Sequence, residues 1–166
     1  TQSSPDIGHI KKEIYRLGEQ TGQGRDLKIT VDGSDGYAWP WAWYLRDYKN
    51  VGYPCLTDES GCAPMKEPPQ SSVVLLNSRA EEANRAQLEG FSEGVPFVLR
   101  WWFPEYYRQI NLPRLVFGMW DPKKWGPWWG FFWHRELLDP IGSSDARAYF
   151  PKDFDLKLPM PSEEWR

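Results

Sequence analysis

Tryptophan is the feature that most constrains this chain, because 11 Trp occur among its 166 residues. All but one of them lie in three short blocks, which are residues 39–44, 100–104 and 120–133. A chain of this length and average composition would hold about two. A small core needs few side chains of this size. Runs of Trp with Gly, Pro and Arg are typical of a surface that meets a sugar ring, a membrane interface or an apolar protein face.

The composition excludes several classes of protein. A length of 166 residues is that of one ordinary domain with a single core. The net charge of −3 makes nucleic acid a poor candidate partner. No apolar run approaches the roughly 18 residues of a membrane span. The start at Thr1 leads us to expect a piece of a longer protein.

The first predicted element is an amphipathic helix that follows Ser4 and is ended by Gly18, Gly22 and Gly24. Ser4 suits the N-cap position, and Pro5 suits the first helical position. An apolar stripe follows at spacings of three and four residues, made of Ile7, Ile10, Ile14 and Leu17.

Short apolar and β-branched runs predict strands at residues 27–31, 50–53, 72–76, 95–102 and 146–150. Further helices are predicted at residues 39–48 and 79–88 and, in two pieces, at 104–138. This alternation predicts an α/β fold, a three-layer, Rossmann-like and mostly parallel sheet of about four or five short strands with helices on both faces. Residues 1–150 would form one domain, with a Cys-containing loop at 54–70 and an irregular tail at 151–166.

The two cysteines, Cys55 and Cys62, bracket a polar and turn-forming stretch. They could be free thiols in a loop, or a short-loop disulfide that requires an oxidising compartment. No His lies near them, so a structural zinc site is not expected.

The loop at residues 32–36 follows a predicted strand and precedes a predicted helix, where α/β proteins commonly bind ligands. Asp32 and Asp35 are therefore candidate ligand-binding residues, and a small hydrolase centred on them is one hypothesis. The loop has neither a dinucleotide fingerprint nor the spacing of an EF-hand. The alternative is a turn built from turn-forming residues.

Aromatic and basic residues supply the other candidate ligand contacts. On the predicted helix at 39–48, Trp39, Trp43 and Arg46 could stack on a sugar or pair with a phosphate. Arg100 and Trp102, from the second block, are further candidate ligand-binding residues. The alternative is that these aromatic side chains pack the helix on the sheet.

The third block would be apolar on every side of a helix, so it is either buried or placed against lipid or protein. Its candidate membrane-docking or partner-docking residues are Trp120, Trp125, Trp128, Trp129 and Trp133. Lys123, Lys124 and His134 flank these aromatics, as cations do at a membrane interface.

No set of residues has the spacing of a known catalytic centre. The two histidines, His9 and His134, lie far apart in sequence. No metal-ligand spacing and no paired carboxylates stand out. We therefore expect no cofactor, no metal and no catalytic residue in this chain.

Three segments together resemble a known family. They are Gln-Ser-Ser-Pro-Asp at 2–6, Trp-Pro-Trp-Ala-Trp-Tyr-Leu-Arg-Asp-Tyr at 39–48 and Leu-Arg-Trp-Trp-Phe-Pro-Glu-Tyr at 99–106. They are similar to the C-terminal soluble domain of flippase-associated, dolichyl-phosphate-mannose:protein mannosyltransferase-like membrane glycosyltransferases of the GT-C class. The resemblance covers most of residues 2–150.

The resemblance implies a domain on the extracytoplasmic face of the cell membrane, tethered by preceding transmembrane helices. The family carries its catalytic acid in an early loop between those helices, so this chain would be an accessory domain. Its implied partners are the transmembrane part of the parent protein, the membrane surface and a lipid-linked sugar or glycan. Residues 128–130 depart from the Trp-Trp-Asp-Tyr-Gly motif of protein-glycosylating enzymes at the aspartate.

Two hypotheses lead. In the first, the chain is a non-catalytic domain of a glycosyltransferase-like protein that uses lipid-linked sugars, and it aids substrate binding or docks on the membrane part. In the second, it is a stand-alone carbohydrate- or partner-binding module with exposed Trp.

Overall fold

The computed structural model describes residues 2–59, 61–102, 133–134 and 142–157. These residues form a mixed α/β structure. Its elements in chain order are β1 (Gln2–Ser3), α1 (Asp6–Gln20), β2 (Ile29–Val31), α2 (Ala38–Tyr44), β3 (Val51–Gly52), β4 (Val73–Asn77), α3 (Ser78–Asn84), β5 (Val95–Trp102) and β6 (Gly142–Tyr149). Single 3-10 turns lie at Gly24–Asp26, Ser34–Gly36 and Arg85–Leu88.

The described strands form one sheet in the order β1-β5-β6-β4-β2-β3. β2 pairs in parallel with β3 and β4. The pairings β1–β5, β5–β6 and β4–β6 are antiparallel. The predicted α/β class is confirmed, but the prediction of a mostly parallel sheet is wrong. An apolar strand buried on both faces is as compatible with antiparallel neighbours as with parallel ones, so the pattern carries no direction.

The central strand β4 divides the core into two clusters. Val73 and Leu75 pack with α1 and α2, whereas Val74 and Leu76 pack with Ala80 of α3. All four strand residues are fully buried. This alternation is what a strand with side chains on two covered faces requires.

Helix α1 follows its predicted stripe, because Ile7, Ile10, Ile14 and Leu17 are all buried in the larger cluster. The Ser4 hydroxyl accepts a hydrogen bond from the Asp6 amide at 3.2 Å, although the N-cap residue itself is Pro5. The helix ends at Gln20, between the first two of the three glycines predicted to end it, Gly18 and Gly22. Gly18 instead provides a close approach, in which an added Cβ would lie 2.5 Å from the Gly24 carbonyl oxygen.

The other predicted elements exist with shifted bounds. α2 is shorter than the predicted helix at 39–48, and α3 gives way to a 3-10 turn at Arg85–Leu88. β6 begins at Gly142, before the predicted start at 146, because its polar first half pairs with β5. The predicted helices at 104–138 lie outside the described residues, apart from 133–134.

The described part of the predicted tail, residues 151–157, is irregular apart from a bridge between Pro151 and Phe91, but it packs on the domain. Phe154 lies in the larger cluster, with its ring stacked on Phe150 at 5.5 Å between centroids. The Arg16 guanidinium lies 4.4 Å from the centre of the Phe154 ring. These contacts extend the packed structure past the predicted boundary at 150.

Two glycines of α1 provide a matched test of this packing. Gly18→Ala should lower the free energy of unfolding by about 1–3 kcal/mol, since the added methyl meets backbone that cannot move cheaply. Gly8→Ala should raise it by up to about 1 kcal/mol, because nothing lies within 4 Å of that Cβ and Ala favours helix. Urea unfolding measures both. Equal effects of the two variants would contradict the close approach at Gly18.

Two tyrosines with raised pKa values should lower the free energy of unfolding at alkaline pH. Burial, with the charge of Glu81 adding to it, raises the pKa of Tyr149 from 10.0 to about 12. Burial also raises the pKa of Tyr37 well above its usual range. The folded state holds these protons more tightly than the unfolded state does. The contribution of Tyr149 to the free energy of unfolding is therefore fully present below pH 10 and is lost as the pH rises through 12.

Urea unfolding at stepped alkaline pH measures this loss, together with the absorbance of tyrosinate. Tyr149→Phe should make the decline shallower, because one of the linked protons is removed. A free energy of unfolding that stays constant from pH 10 to 12 would show that neither proton is linked to folding.

Candidate functional site

The turn between β2 and α2 is built around the buried carboxylate of Asp32. Asp32 is 0% exposed. Its Oδ1 accepts from the backbone amides of Ser34 at 3.2 Å and Leu56 at 3.1 Å, and its Oδ2 accepts from the Ser34 hydroxyl at 2.5 Å. A buried carboxylate is tolerated when hydrogen bonds of this kind replace its water shell.

The same network reaches α3 and the Cys loop. The Asn77 side-chain amide donates to the Ser34 hydroxyl at 2.8 Å, and its Oδ1 accepts from the Ala80 amide at 2.7 Å, which caps α3. Asn84 of α3 donates to the Leu56 carbonyl at 2.7 Å. Asp32 therefore lies inside the fold, an arrangement that favours the turn interpretation over a ligand contact.

Asp35 lies at the surface, whereas Asp32 is buried. Asp35 has a left-handed backbone with φ of 49° and is exposed. Its carboxylate lies 3.4 Å from Arg79, which also pairs with Glu59 at 2.8 Å. The two aspartates of the predicted site thus have separate environments and separate partners.

Arg100 is held beside the start of α2. Its guanidinium donates to the Gly36 carbonyl, while its Nε is buried without a hydrogen-bond partner. A register shift in the β5–β6 pairing lies between Val98 and Arg100. The Val98 amide is paired instead with the carboxylate of Asp6 at 3.0 Å. This bulge turns Arg100 to the α2 side of the sheet, where Leu99 also packs.

Helix α2 has one buried and one exposed aromatic side. Trp41 is fully buried, with its ring edge-on to Phe97 at 5.8 Å between centroids. Trp39 and Trp43 are 76% and 64% exposed, and they share one side of the helix because they are four residues apart. The Arg46 guanidinium lies 4.5 Å from the centre of the Trp43 ring and donates to the Trp43 carbonyl at 3.2 Å.

The predicted ligand residues come together only in part. Trp43 and Arg46 form one stacked pair, and Arg100 contacts the turn before α2. Among the described residues, no hydrogen bond, ion pair or ring contact joins Trp39 or Trp102 to the others. Trp102 is half exposed at the end of β5.

The predicted docking residues fall almost entirely outside the described ranges. Trp133 is 68% exposed. Trp120, Trp125, Trp128 and Trp129 lie beyond the residues that the structure describes. Their docking role stays a prediction.

Cys55 and Cys62 form a disulfide, with 5.0 Å between their Cα atoms. Of the two alternatives, the structure therefore has the one that requires an oxidising compartment. The bridged loop is anchored on the domain, because Leu56 and Thr57 are buried and the Met65 amide donates to Asn84 at 2.6 Å.

Sequence reasoning did not identify a groove of about 330 Å³ beside α1. Its lining side chains are mostly basic or aromatic and come from three segments; they are Gly8, Lys11, Lys12, Tyr15, Arg25, Asp47 and Tyr48. The polar face of α1, with Lys11 and Tyr15 four residues apart, is the one signal visible in the sequence. Arg25 and Asp47 join it only through the fold.

No cluster of three potential metal ligands occurs among the residues that the structure describes. In the same ranges no helix has both the length and the apolarity needed to cross a membrane. Searches of protein families, of curated proteins and of solved structures find no match to this chain. The resemblance to GT-C glycosyltransferases therefore stays a hypothesis.

Mutating the two aspartates of the turn should change the stability of the protein by very different amounts. Asp32→Asn should lower the free energy of unfolding by about 1–3 kcal/mol. In the native protein the Ser34 hydroxyl donates to the carboxylate, and in the variant an NH₂ group, itself a donor, would face that hydroxyl. Asp35→Asn should change it by less than about 0.5 kcal/mol, since its ion pair is exposed. Thermal unfolding compares them. An Asp32→Asn protein of unchanged stability would remove the anchoring role.

Proposed function

We propose that this chain is a non-catalytic, extracytoplasmic domain of a membrane-bound glycosyltransferase-like protein that uses lipid-linked sugars. It aids substrate binding or docks on the membrane part of its parent. The observation that carries the proposal is the exposed Trp39 and Trp43 pair on α2, with Arg46 stacked on Trp43.

The exposed side of α2 is more apolar than the fold needs. Trp41 already fills the core side of the helix, together with Pro40. Each Trp presents on the order of 200 Å² of surface. Covering most of Trp39 and Trp43 would therefore contribute several kcal/mol, at roughly 25 cal/mol per Å², before the costs of association.

The chemistry of this side suits a membrane interface. Indole rings favour the boundary between head groups and acyl chains, and cations beside them meet lipid phosphates. Arg46 is exposed and held over Trp43, so an indole and a cation are presented together. The Cys55–Cys62 disulfide supports a location outside the cytoplasm.

The finer fold prediction belongs to the same proposal. We infer that the parallel unit β3-β2-β4, with α1 and α2 residues packed against one face of β4 and α3 against the other, represents a Rossmann-like three-layer arrangement. The antiparallel strands β5, β6 and β1 extend it on one edge.

A stand-alone carbohydrate- or partner-binding module is the second candidate. It is favoured by the spacing of Trp39 and Trp43, which lie about one helical turn apart and can stack on successive sugar rings. This candidate needs no membrane and no parent protein.

Vesicle binding tests the first candidate. Partition of the chain onto phosphatidylglycerol vesicles should fall by about tenfold or more in Trp39→Ala/Trp43→Ala, since the covered apolar area is lost. Tyr53→Ala, which removes an exposed aromatic ring that is not part of α2, is the matched control. Trp41→Ala is unsuitable, because that side chain is buried.

Other outcomes assign the function differently. Unchanged vesicle partition in the double variant would remove α2 as the docking surface. Binding to a polysaccharide that is lost in the same variant, without vesicle binding, would favour the second candidate. Sugar transfer catalysed by this chain alone would contradict a non-catalytic role.

A further inference from the structure

The groove beside α1 combines three cations with two tyrosines. Lys11 and Lys12 come from α1, Arg25 from the 3-10 turn that follows it, and Tyr48 from the segment after α2. Tyr15 stands at the edge, 54% exposed. Local sequence and tertiary packing thus bring like charges to one concave surface.

These cations have no ion-pair partner within the described part of the chain. No carboxylate there lies within ion-pair distance of Lys11, Lys12 or Arg25, whereas the nearby Lys49 pairs with Asp26 at 3.1 Å. Only one acidic side chain, Asp47, lines the groove. Clustered positive charge at a concave surface attracts anions, and a bound polyanion relieves the mutual repulsion.

The tyrosines add donors and ring faces. Tyr48 is half-buried, and burial raises its pKa, with Arg25 opposing that effect and Tyr15 and Asp47 among the groups that add to it. Its hydroxyl therefore stays protonated at neutral pH and can donate a hydrogen bond. Tyrosine rings can cover the apolar face of a sugar, and the Asp47 carboxylate can accept from sugar hydroxyls.

We propose that this groove binds a phosphorylated sugar. The phosphoryl group is held by Lys11, Lys12 and Arg25, the sugar ring lies against Tyr15 and Tyr48, and Asp47 accepts its hydroxyls. The volume of about 330 Å³ is within the range of small-ligand sites. The choice of a sugar rests on the proposed function, in which the substrate is a lipid-linked sugar, and the choice of a phosphoryl group rests on the three cations.

Glucose 1-phosphate is the probe, titrated into the full chain and followed by amide NMR signals. Shifts should be confined to α1, the turn after it and residues near Tyr48. Lys11→Gln/Lys12→Gln should weaken binding by about tenfold or more, since two charge-assisted contacts are lost. Lys66→Gln/Lys152→Gln removes the same charge from exposed positions outside the groove and should leave binding within about twofold.

Gly8→Met provides a variant that keeps the fold. Gly8 lines the groove and nothing lies within 4 Å of a Cβ there, so a larger side chain has room to occupy the groove, and a helix accepts Met better than Gly. It should weaken glucose 1-phosphate binding by about tenfold while its unfolding temperature stays equal or rises.

Several results would overturn the proposal. They are no binding of glucose 1-phosphate, an equal loss in the Lys66→Gln/Lys152→Gln control, or normal binding by Gly8→Met. Inorganic phosphate binding as tightly as glucose 1-phosphate would overturn the sugar contacts. Neutral glucose binding as tightly would overturn the phosphoryl contacts.

The two proposals fail separately. The vesicle experiment depends on Trp39 and Trp43, whereas the titration uses a soluble ligand and variants of α1. Vesicle binding without glucose 1-phosphate binding would support the docking surface on α2 and contradict a sugar phosphate site in the groove. The reverse result would keep the groove and remove membrane docking.

Discussion

The arrangement of this domain depends on the hydrogen bonds that the buried Asp32 carboxylate accepts. This carboxylate joins the end of β2 to Ser34 and to the amide of Leu56 in the disulfide-bridged loop. Through Ser34 it reaches Asn77, whose side chain caps α3. Because a buried charge is costly unless its hydrogen bonds are complete, this network holds β2, β4 and the loop in one register.

The same turn also determines which side chains of α2 are exposed to solvent. Tyr37 and Trp41 are buried against the sheet, and Arg100 reaches the Gly36 carbonyl from β5. With the helix fixed at both its start and its core side, Trp39 and Trp43 have only the solvent side left. The aromatic surface is therefore a consequence of how the turn and the core orient seven residues of helix.

Elements with a strong local period were predictable. α1 carries an apolar stripe of isoleucines, and β5 was located at its observed bounds, because side-chain period follows directly from backbone geometry. The direction of the strands was not predictable, since β4 is apolar on both faces whichever way its neighbours run. β6 begins with polar residues and is a strand there only because β5 lies beside it.

The sequence by itself determined the α/β composition, the stripe of α1, the Cys55–Cys62 alternative and an excess of tryptophan over core needs. All four follow from local spacing or from residue type, which the chain carries before it folds. Only the tertiary structure decided which Trp face solvent, that Asp32 is an anchor, and that Arg25 and Tyr48 line the same groove as Lys11. Those properties depend on contacts between residues distant in the chain, and such contacts leave no period in the sequence.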